Sequence, residues 1–123
     1  MPLYDGGYQV RQWIHAADIA KAVVDMDDQV RRWIAAGWSG GRKYNLGGTC
    51  FYRNIDLVNL IWERCDELGI EVPSQSFVSV EDRPGHDIAY CVDSEKTYAT
   101  FGWIPQRTIV GSIDGMVEAY KTR

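Results

Sequence analysis

The chain is poor in the residues from which metal and redox centres are built: of 123 residues, three are cysteine and two are histidine. Cys50, Cys65 and Cys91 lie too far apart for the C-x-x-C spacing of a zinc or thiol-redox site, and His15 and His86 cannot assemble a histidine-rich centre. No metal is expected. The cysteines read as reduced thiols of a cytoplasmic protein, with Cys65 a small buried residue inside a helix. Long apolar runs are also missing, which excludes a membrane span, and the opening Met1 to Gly7 has neither the basic nor the apolar region of a secretion signal. Seventeen acidic against thirteen basic residues give a net charge of −4, with no Lys/Arg run to follow a phosphate backbone. Nucleic acid is therefore not an expected partner.

Signatures of catalysis are missing too. Neither G-x-G-x-x-G nor a Walker A loop occurs, so the usual seat of a dinucleotide or triphosphate on a helix N-terminus is absent, and Gly47-Gly48 reads as a turn. No tyrosine is followed four residues later by a lysine, the pair that lowers a phenol pKa for hydride chemistry. Ser39, Ser74, Ser76, Ser79, Ser94 and Ser112 read as lying outside any G-x-S-x-G nucleophile elbow. His86 with Asp82 or Asp87 has base–orienter spacing, but no catalytic residue is expected.

What is present is a single globular unit over residues 1–123, with 46% hydrophobic and 24% charged side chains. Gln9 to Ile14 alternates as a short strand, and Asp18 then caps or opens a helix that runs to Ala36. Its expected buried stripe is Ile19, Val23, Met26, Val30 and Ile34, with Asp25, Asp27, Asp28, Arg31 and Arg32 on a solvated face. Arg42 to Leu46 reads as a second strand and Asn54 to Leu68 as a second helix, with Leu57, Ile61, Cys65 and Leu68 inward and Gly69 as its stop. Ser76 to Val80 and Ala89 to Val92 are further strand candidates. Two helices finish the chain, one from Ser94 to about Phe101 and one carrying Ile109, Ile113, Val117 and Tyr120. The alternation indicates an α/β or α+β unit of a few short strands and about four helices.

The stretch Glu81 to Asp87, E-D-R-P-G-H-D, sets Arg83 and His86 around a Pro-Gly turn, where Pro fixes φ and Gly accepts φ > 0. Such a turn can aim both side chains at one anion, or Arg83 can simply pair with its acidic neighbours. Arg11 on the first strand and Asn45 at the end of the second offer a planar donor fork and an amide to the same purpose. Their plainer roles are a cross-strand ion pair and a turn cap.

Taken together, these segments resemble the C-terminal, substrate-binding part of the dTDP-glucose 4,6-dehydratases, members of the extended short-chain dehydrogenase/reductase family. Pro2 to Trp13 is similar to that family's P-x-Y-G-D-G-x-Q-V-R-D-W, Tyr44 to Gly48 to its Y-N-I-G-G, Asp82 to Asp87 to its D-R-P-G-H-D, and Phe101 to Pro105 to its L-G-W-x-P. The resemblance implies a lobe without a complete Rossmann sheet, binding a dTDP-sugar or related nucleotide sugar weakly through Arg11, Asn45, Arg83 and His86, with Pro2 and Tyr4 near the base. NAD, the cofactor of the parent family, would bind in the part that precedes Met1, so this chain alone is expected to hold no cofactor. Gln12 stands where the family has Asp, Asp5-Gly6 inverts its Gly-Asp, and Ile88-Ala89 replaces a usual basic pair. A truncated unit of this kind is expected to leave strand edges open and so to form a homo-oligomer. Two alternatives stand beside this reading: an interaction module with an idle pocket, and the substrate lobe of a related epimerase or dehydratase.

Overall fold

A computed structural model of the chain describes residues 1–72 and 77–121. Strand β1 (Pro2–Tyr4) leads through a 3-10 turn (Asp5–Gly7) into β2 (Val10–Trp13), and helix α1 (Ala16–Ala35) follows. Strand β3 (Cys50–Arg53) runs directly into α2 (Asn54–Glu67); β4 (Val78–Val80), β5 (Ala89–Tyr90), α3 (Glu95–Phe101) and α4 (Ile109–Lys121) complete the chain. β2 is the middle strand of a three-stranded sheet, antiparallel to β3 and parallel to β5, so that Arg11 faces Tyr52 on one side and Tyr90 on the other. β1 pairs in parallel with β4, Leu3 opposite Ser79. This small α/β arrangement has four helices and no closed sheet among the described residues.

Local chemistry explains most boundaries. His15 caps α1, its Nδ1 accepting from the Ala17 N–H at 3.0 Å. Gly69 and Gly102 take left-handed φ values of 66° just beyond α2 and α3, a conformation a side chain would disfavour. At Gly7, φ is 81° and a Cβ would sit 3.0 Å from both the Ile55 nitrogen and Leu3 Cδ1, so only glycine allows the turn to lie against the start of α2.

Several sequence expectations need correction. Arg42 to Leu46 is not a strand: no neighbouring strand offers it a ladder among the described residues, and its polar groups are satisfied by side chains instead. Thr97 Oγ1 donates to the Asn45 carbonyl at 2.6 Å, Lys96 Nζ to the Lys43 carbonyl at 2.8 Å, and the Gly47 N–H to Ser94 Oγ at 2.8 Å. The strand in this region is β3, eight residues past Arg42. Ser76 of the predicted third strand lies outside the described residues, while Val78 to Val80 is extended. Pro2 to Tyr4 was too short to show alternation, and its partner is distant in sequence. In α1 the buried positions are Asp18 and Ala22; Val23 and Ile34 of the expected stripe stand 58% and 57% exposed. Tyr120 of α4 is likewise exposed, whereas Ile113 and Val117 are buried. Cys65 is half-buried, in the groove between α2 and α4.

The apolar core is thin. Leu3, Ala22, Val58, Trp103, Ile113 and Val117 are its buried members among the described residues, and packing of α4 on α2 through Ile113 and Val117, beside Ile61 and Cys65, contributes on the order of 1.5–3 kcal/mol per large buried side chain. A polar anchor supplements it. The Asp18 carboxylate is 1% exposed, and its Oδ2 accepts from the Gln106 and Arg107 N–H groups at 3.0 and 2.9 Å, while Oδ1 meets Arg107 Nη1 at 2.5 Å. Burial opposes its ionisation, but those donors and the guanidinium charge outweigh that and hold the carboxyl below its ordinary pKa.

Two outcomes follow from these contacts. Asp18→Ala leaves two backbone donors without their acceptor and is expected to cost about 2–4 kcal/mol in urea unfolding. Because the folded pKa of Asp18 is depressed, its contribution is complete above the unfolded value near about 4 and is lost as pH falls through the folded value. The acid-side decline of the urea midpoint should therefore be steeper in the wild type than in Asp18→Ala. At the Gly47-Gly48 turn, a Cβ on Gly48 would overlap the Trp13 carbonyl, whereas one on Gly47 meets only the end of the Gln12 side chain at 2.7 Å. Gly48→Ala should cost about 3 kcal/mol and Gly47→Ala roughly 1–2 kcal/mol, since it displaces a Gln12 amide that is hydrogen-bonded at both ends, a difference that thermal unfolding resolves.

Candidate functional site

The alternation of a strand sends Arg11 to one face of β2 and Gln12 to the other. Gln12 spans the sheet's neighbours: its Nε2 donates to the Gly48 carbonyl at 2.6 Å and its Oε1 accepts from the Val92 N–H at 2.7 Å. The glutamine that stands in place of an aspartate thus ties β2 to both flanking segments, using a donor that a carboxylate lacks. Arg11 lies with its guanidinium carbon 4.5 Å above the centre of the Tyr90 ring. Its N–H groups go to the Val10 carbonyl at 2.7 Å, the Asp87 carbonyl at 3.0 Å, the Ile88 carbonyl at 3.5 Å and His86 Nε2 at 2.8 Å. Every one of these acceptors is neutral. The sequence-level alternative of a cross-strand ion pair is not what the structure places at Arg11.

His86 arrives on the Pro84-Gly85 turn, where Gly85 takes φ 75° and the His86 N–H closes on the Arg83 carbonyl at 3.2 Å. Its Nδ1 is 2.6 Å from Asp82 Oδ1, and the Tyr4 ring meets it edge-on with centroids 5.9 Å apart. Asp82 is held in turn by Gln9 Nε2 at 2.7 Å on Oδ2 and by the Arg83 N–H at 2.8 Å on Oδ1. Partial burial works against the Asp82 charge, and the His86, Gln9 and Arg83 donors more than offset it, so its pKa lies below the ordinary value. Gln9 is itself buried, and its amide oxygen has no partner among the described residues. Turning its nitrogen to the carboxylate leaves that oxygen unsatisfied, which marks the contact with Asp82 as the dominant one.

Three of the sequence candidates, Tyr4, Arg11 and His86, therefore converge. Pro2 is exposed at the start of β1, two residues from Tyr4. Arg83 joins the site through its backbone, and its side chain is exposed with no ion pair to Glu81, Asp82 or Asp87. Asn45 sits apart from Arg11 and His86: its Nδ2 donates to the Asp93 carbonyl at 3.0 Å, linking the Y-N-L-G-G segment to the chain leaving β5. Two further contributors, Gln9 and Tyr90, escaped the sequence reading. A period of two from Arg11 marks Gln9 as sharing its face, but only the pairing register with β5 brings Tyr90 under the guanidinium.

Other chemistry finds less support. Gly37-Trp38-Ser39-Gly40-Gly41 does fit the G-x-S-x-G spacing, a match the serine reading overlooked. It follows the end of α1 in irregular chain with Ser39 exposed, not a strand-to-helix turn, so no elbow is built. Gly47-Gly48 precedes a strand and is filled by Gln12 and Trp13, so it offers NAD no helix N-terminus and no cradle. No group of three His, Cys, Asp or Glu side chains among the described residues is arranged to hold a metal, and no described helix is long and apolar enough to cross a membrane.

Comparison with known proteins agrees with the resemblance read from the motifs. A family model described as GDP-mannose 4,6 dehydratase matches residues 1–116. The dTDP-glucose 4,6-dehydratase of Escherichia coli is 35% identical over 98% of this chain, and a probable dTDP-glucose 4,6-dehydratase of Sinorhizobium fredii is 36% identical over the same share. The chain spans about a third of the length of these relatives, 33% in each case. The dTDP-glucose 4,6-dehydratase of Streptomyces venezuelae, solved with NAD bound, superposes with a TM-score of 0.74 at 28% identity over 100% of this chain and 34% of its own. The UDP-glucose 4-epimerase of Bifidobacterium longum has a TM-score of 0.75 at 22% identity, covering 99% of this chain and 35% of its own, a likeness of fold alone. The chain belongs to the GDP-mannose 4,6 dehydratase family, and its resemblance to the dTDP-glucose 4,6-dehydratases extends over almost its whole length.

Proposed function

We propose that this chain is a cytoplasmic nucleotide-sugar-binding unit, one domain over residues 1–123, that grips the diphosphate of a dTDP-hexose and performs no catalytic step by itself. The observation that carries the reading is the state of Arg11. Its guanidinium is held over the Tyr90 ring by neutral acceptors, with no carboxylate to cancel its charge, beside a histidine that a second side chain orients. Its uncancelled charge suits a phosphate, which gains a bidentate contact by taking over N–H groups that the Asp87 and Ile88 carbonyls and His86 hold in its absence. The exposed Arg83 side chain on the Pro-Gly turn supplies a second cation, Tyr4 and Pro2 provide an apolar edge for the base, and Asn45 is assigned to the ligand's far side. The relatives named for dTDP-glucose support the choice of nucleotide. Dehydration and hydride transfer are assigned to the remaining length of such proteins, since this chain lacks the Tyr-Lys pair and a dinucleotide cradle.

A second reading rests on α1. Val23 and Ile34 lie on one side of that helix and are more than half exposed, an apolar surface next to the packed line of Asp18 and Ala22. Such a face favours association, with a second copy of the chain as the simplest closed solution.

Titration of the pure chain with dTDP, thymidine and NAD by ligand-observed NMR separates these functions. Binding of dTDP is expected in the high-micromolar to millimolar range, equivalent to about 4–6 kcal/mol, with thymidine far weaker and NAD without effect. A charge-assisted bond contributes roughly 1.5–3 kcal/mol, so Arg11→Ala and Arg83→Ala should each nearly abolish the signal, and Arg11→Lys should weaken it. Equal dTDP binding by wild type and Arg83→Ala would reduce E-D-R-P-G-H-D to a surface turn. For the α1 face, light scattering should show a mass that grows with concentration, and Val23→Glu combined with Ile34→Lys should return it to the monomer value; a concentration-independent monomer mass removes the second reading.

A further inference from the structure

His86 is engaged at both ring nitrogens, and the two contacts fix its proton. A guanidinium has donors and no acceptor, so Arg11 Nη2 at 2.8 Å from Nε2 requires a lone pair on that nitrogen. The ring proton is therefore on Nδ1, donated to Asp82 Oδ1 at 2.6 Å. In this form His86 has no N–H to offer an anion arriving beside Arg11.

A phosphate oxygen can meet Nε2 only if a proton stands there. Moving the ring proton from Nδ1 to Nε2 would turn a lone pair toward the Asp82 carboxylate, which Gln9 Nε2 and the Arg83 N–H hold in place. Adding a second proton instead keeps the Asp82 bond and gives an imidazolium with its counter-charge already alongside. The groups around the ring agree with that choice. Asp82, Arg83 and Asp87 come from its own turn, Arg11 from β2, Tyr4 edge-on from β1, and Tyr90 from β5 beneath Arg11. Of these, Arg11 directly opposes a proton at Nε2, and a diphosphate that draws the Nη2 N–H off Nε2 and onto its own oxygen removes the opposition.

Building on the clamp reading above, we infer that a diphosphate binding at Arg11 brings one proton from solvent to His86 Nε2, and that Gln9 and Asp82 are positioning residues which hold the ring for this uptake. One N–H bond forms at Nε2, one proton leaves the solvent, and no other covalent bond changes. Affinity then depends on pH because the protein, and not only the ligand, changes its charge on binding.

The test uses the full chain with 15N-labelled imidazoles, of which there are two, His15 and His86. Near about pH 7.5 the free protein should show His86 as the neutral Nδ1–H tautomer, and saturating dTDP should move both of its nitrogens to the protonated range. Calorimetry of dTDP binding in buffers of different ionisation heat should report uptake approaching one proton, and affinity should fall by up to about tenfold per pH unit above neutrality. His86→Gln retains an N–H donor but cannot titrate, so its weaker binding should lose the uptake and the pH slope. Asp82→Asn retains an oxygen for Nδ1–H without the charge and should lower both uptake and affinity. A neutral His86 in the dTDP complex overturns the coupling and leaves the clamp standing; unchanged uptake in Asp82→Asn overturns the positioning role. Failure of the wild type to bind dTDP overturns the clamp and the coupling together.

Discussion

The Asp18 carboxylate is the point at which the two ends of the fold are joined. It lies in the first turn of α1, close behind β2, and it gathers the backbone of Gln106 and Arg107 just before α4 begins. Few apolar side chains among the described residues are buried, so this tie supplements a thin core. A buried charge is tolerable here because its donors are backbone groups that would otherwise lack partners and a guanidinium that remains half in solvent. The position of α4 against α2, and with it the Ile113 and Val117 contacts, is thus set in part by an acidic residue far away in sequence.

Opposite charge logic governs the two arginine sites. Arg107 is neutralised by Asp18 and serves the fold. Arg11 is surrounded by carbonyls, an imidazole and an aromatic face, so no carboxylate neutralises its charge. Of the acidic residues near it, Asp82 is turned onto His86 and Gln9, and Asp87 meets it through its backbone carbonyl. Separating Arg11 from Asp82 by one imidazole ring gives a cation and an anion that communicate through a titratable group without cancelling each other.

How much of this was legible in the sequence depended on the range of the forces involved. Helices α2, α3 and α4 and the middle strand follow from local periodicity and glycine stops, and they stand close to the expected bounds. Arg42 to Leu46 has strand-like composition, yet a strand exists only where another strand accepts its hydrogen bonds, and the side chains of α3 and its approach take that place. The α1 stripe failed for a related reason: periodicity marks an apolar face but does not say whether anything covers it. At the site, the Pro-Gly turn and Arg11 could be singled out by residue type. Tyr90 could not, because its place under Arg11 is decided by strand register, and Asn45 was grouped with Arg11 on motif alone although its amide is tied to Asp93.

The parallel pairings carry a kinetic consequence. Pro2 pairs with Val78 and Val10 with Ala89, each across more than half of the chain; Tyr4 and Arg11 lie one in each pair, and His86 lies between β4 and β5. Short strands with such distant partners gain little until the long loops between them close, so they do not form early on local propensity. The helices can reach native-like order while Tyr4, Arg11 and His86 are still far apart. The cluster of Tyr4, Arg11 and His86 therefore rests on long-range pairing and not on local propensity.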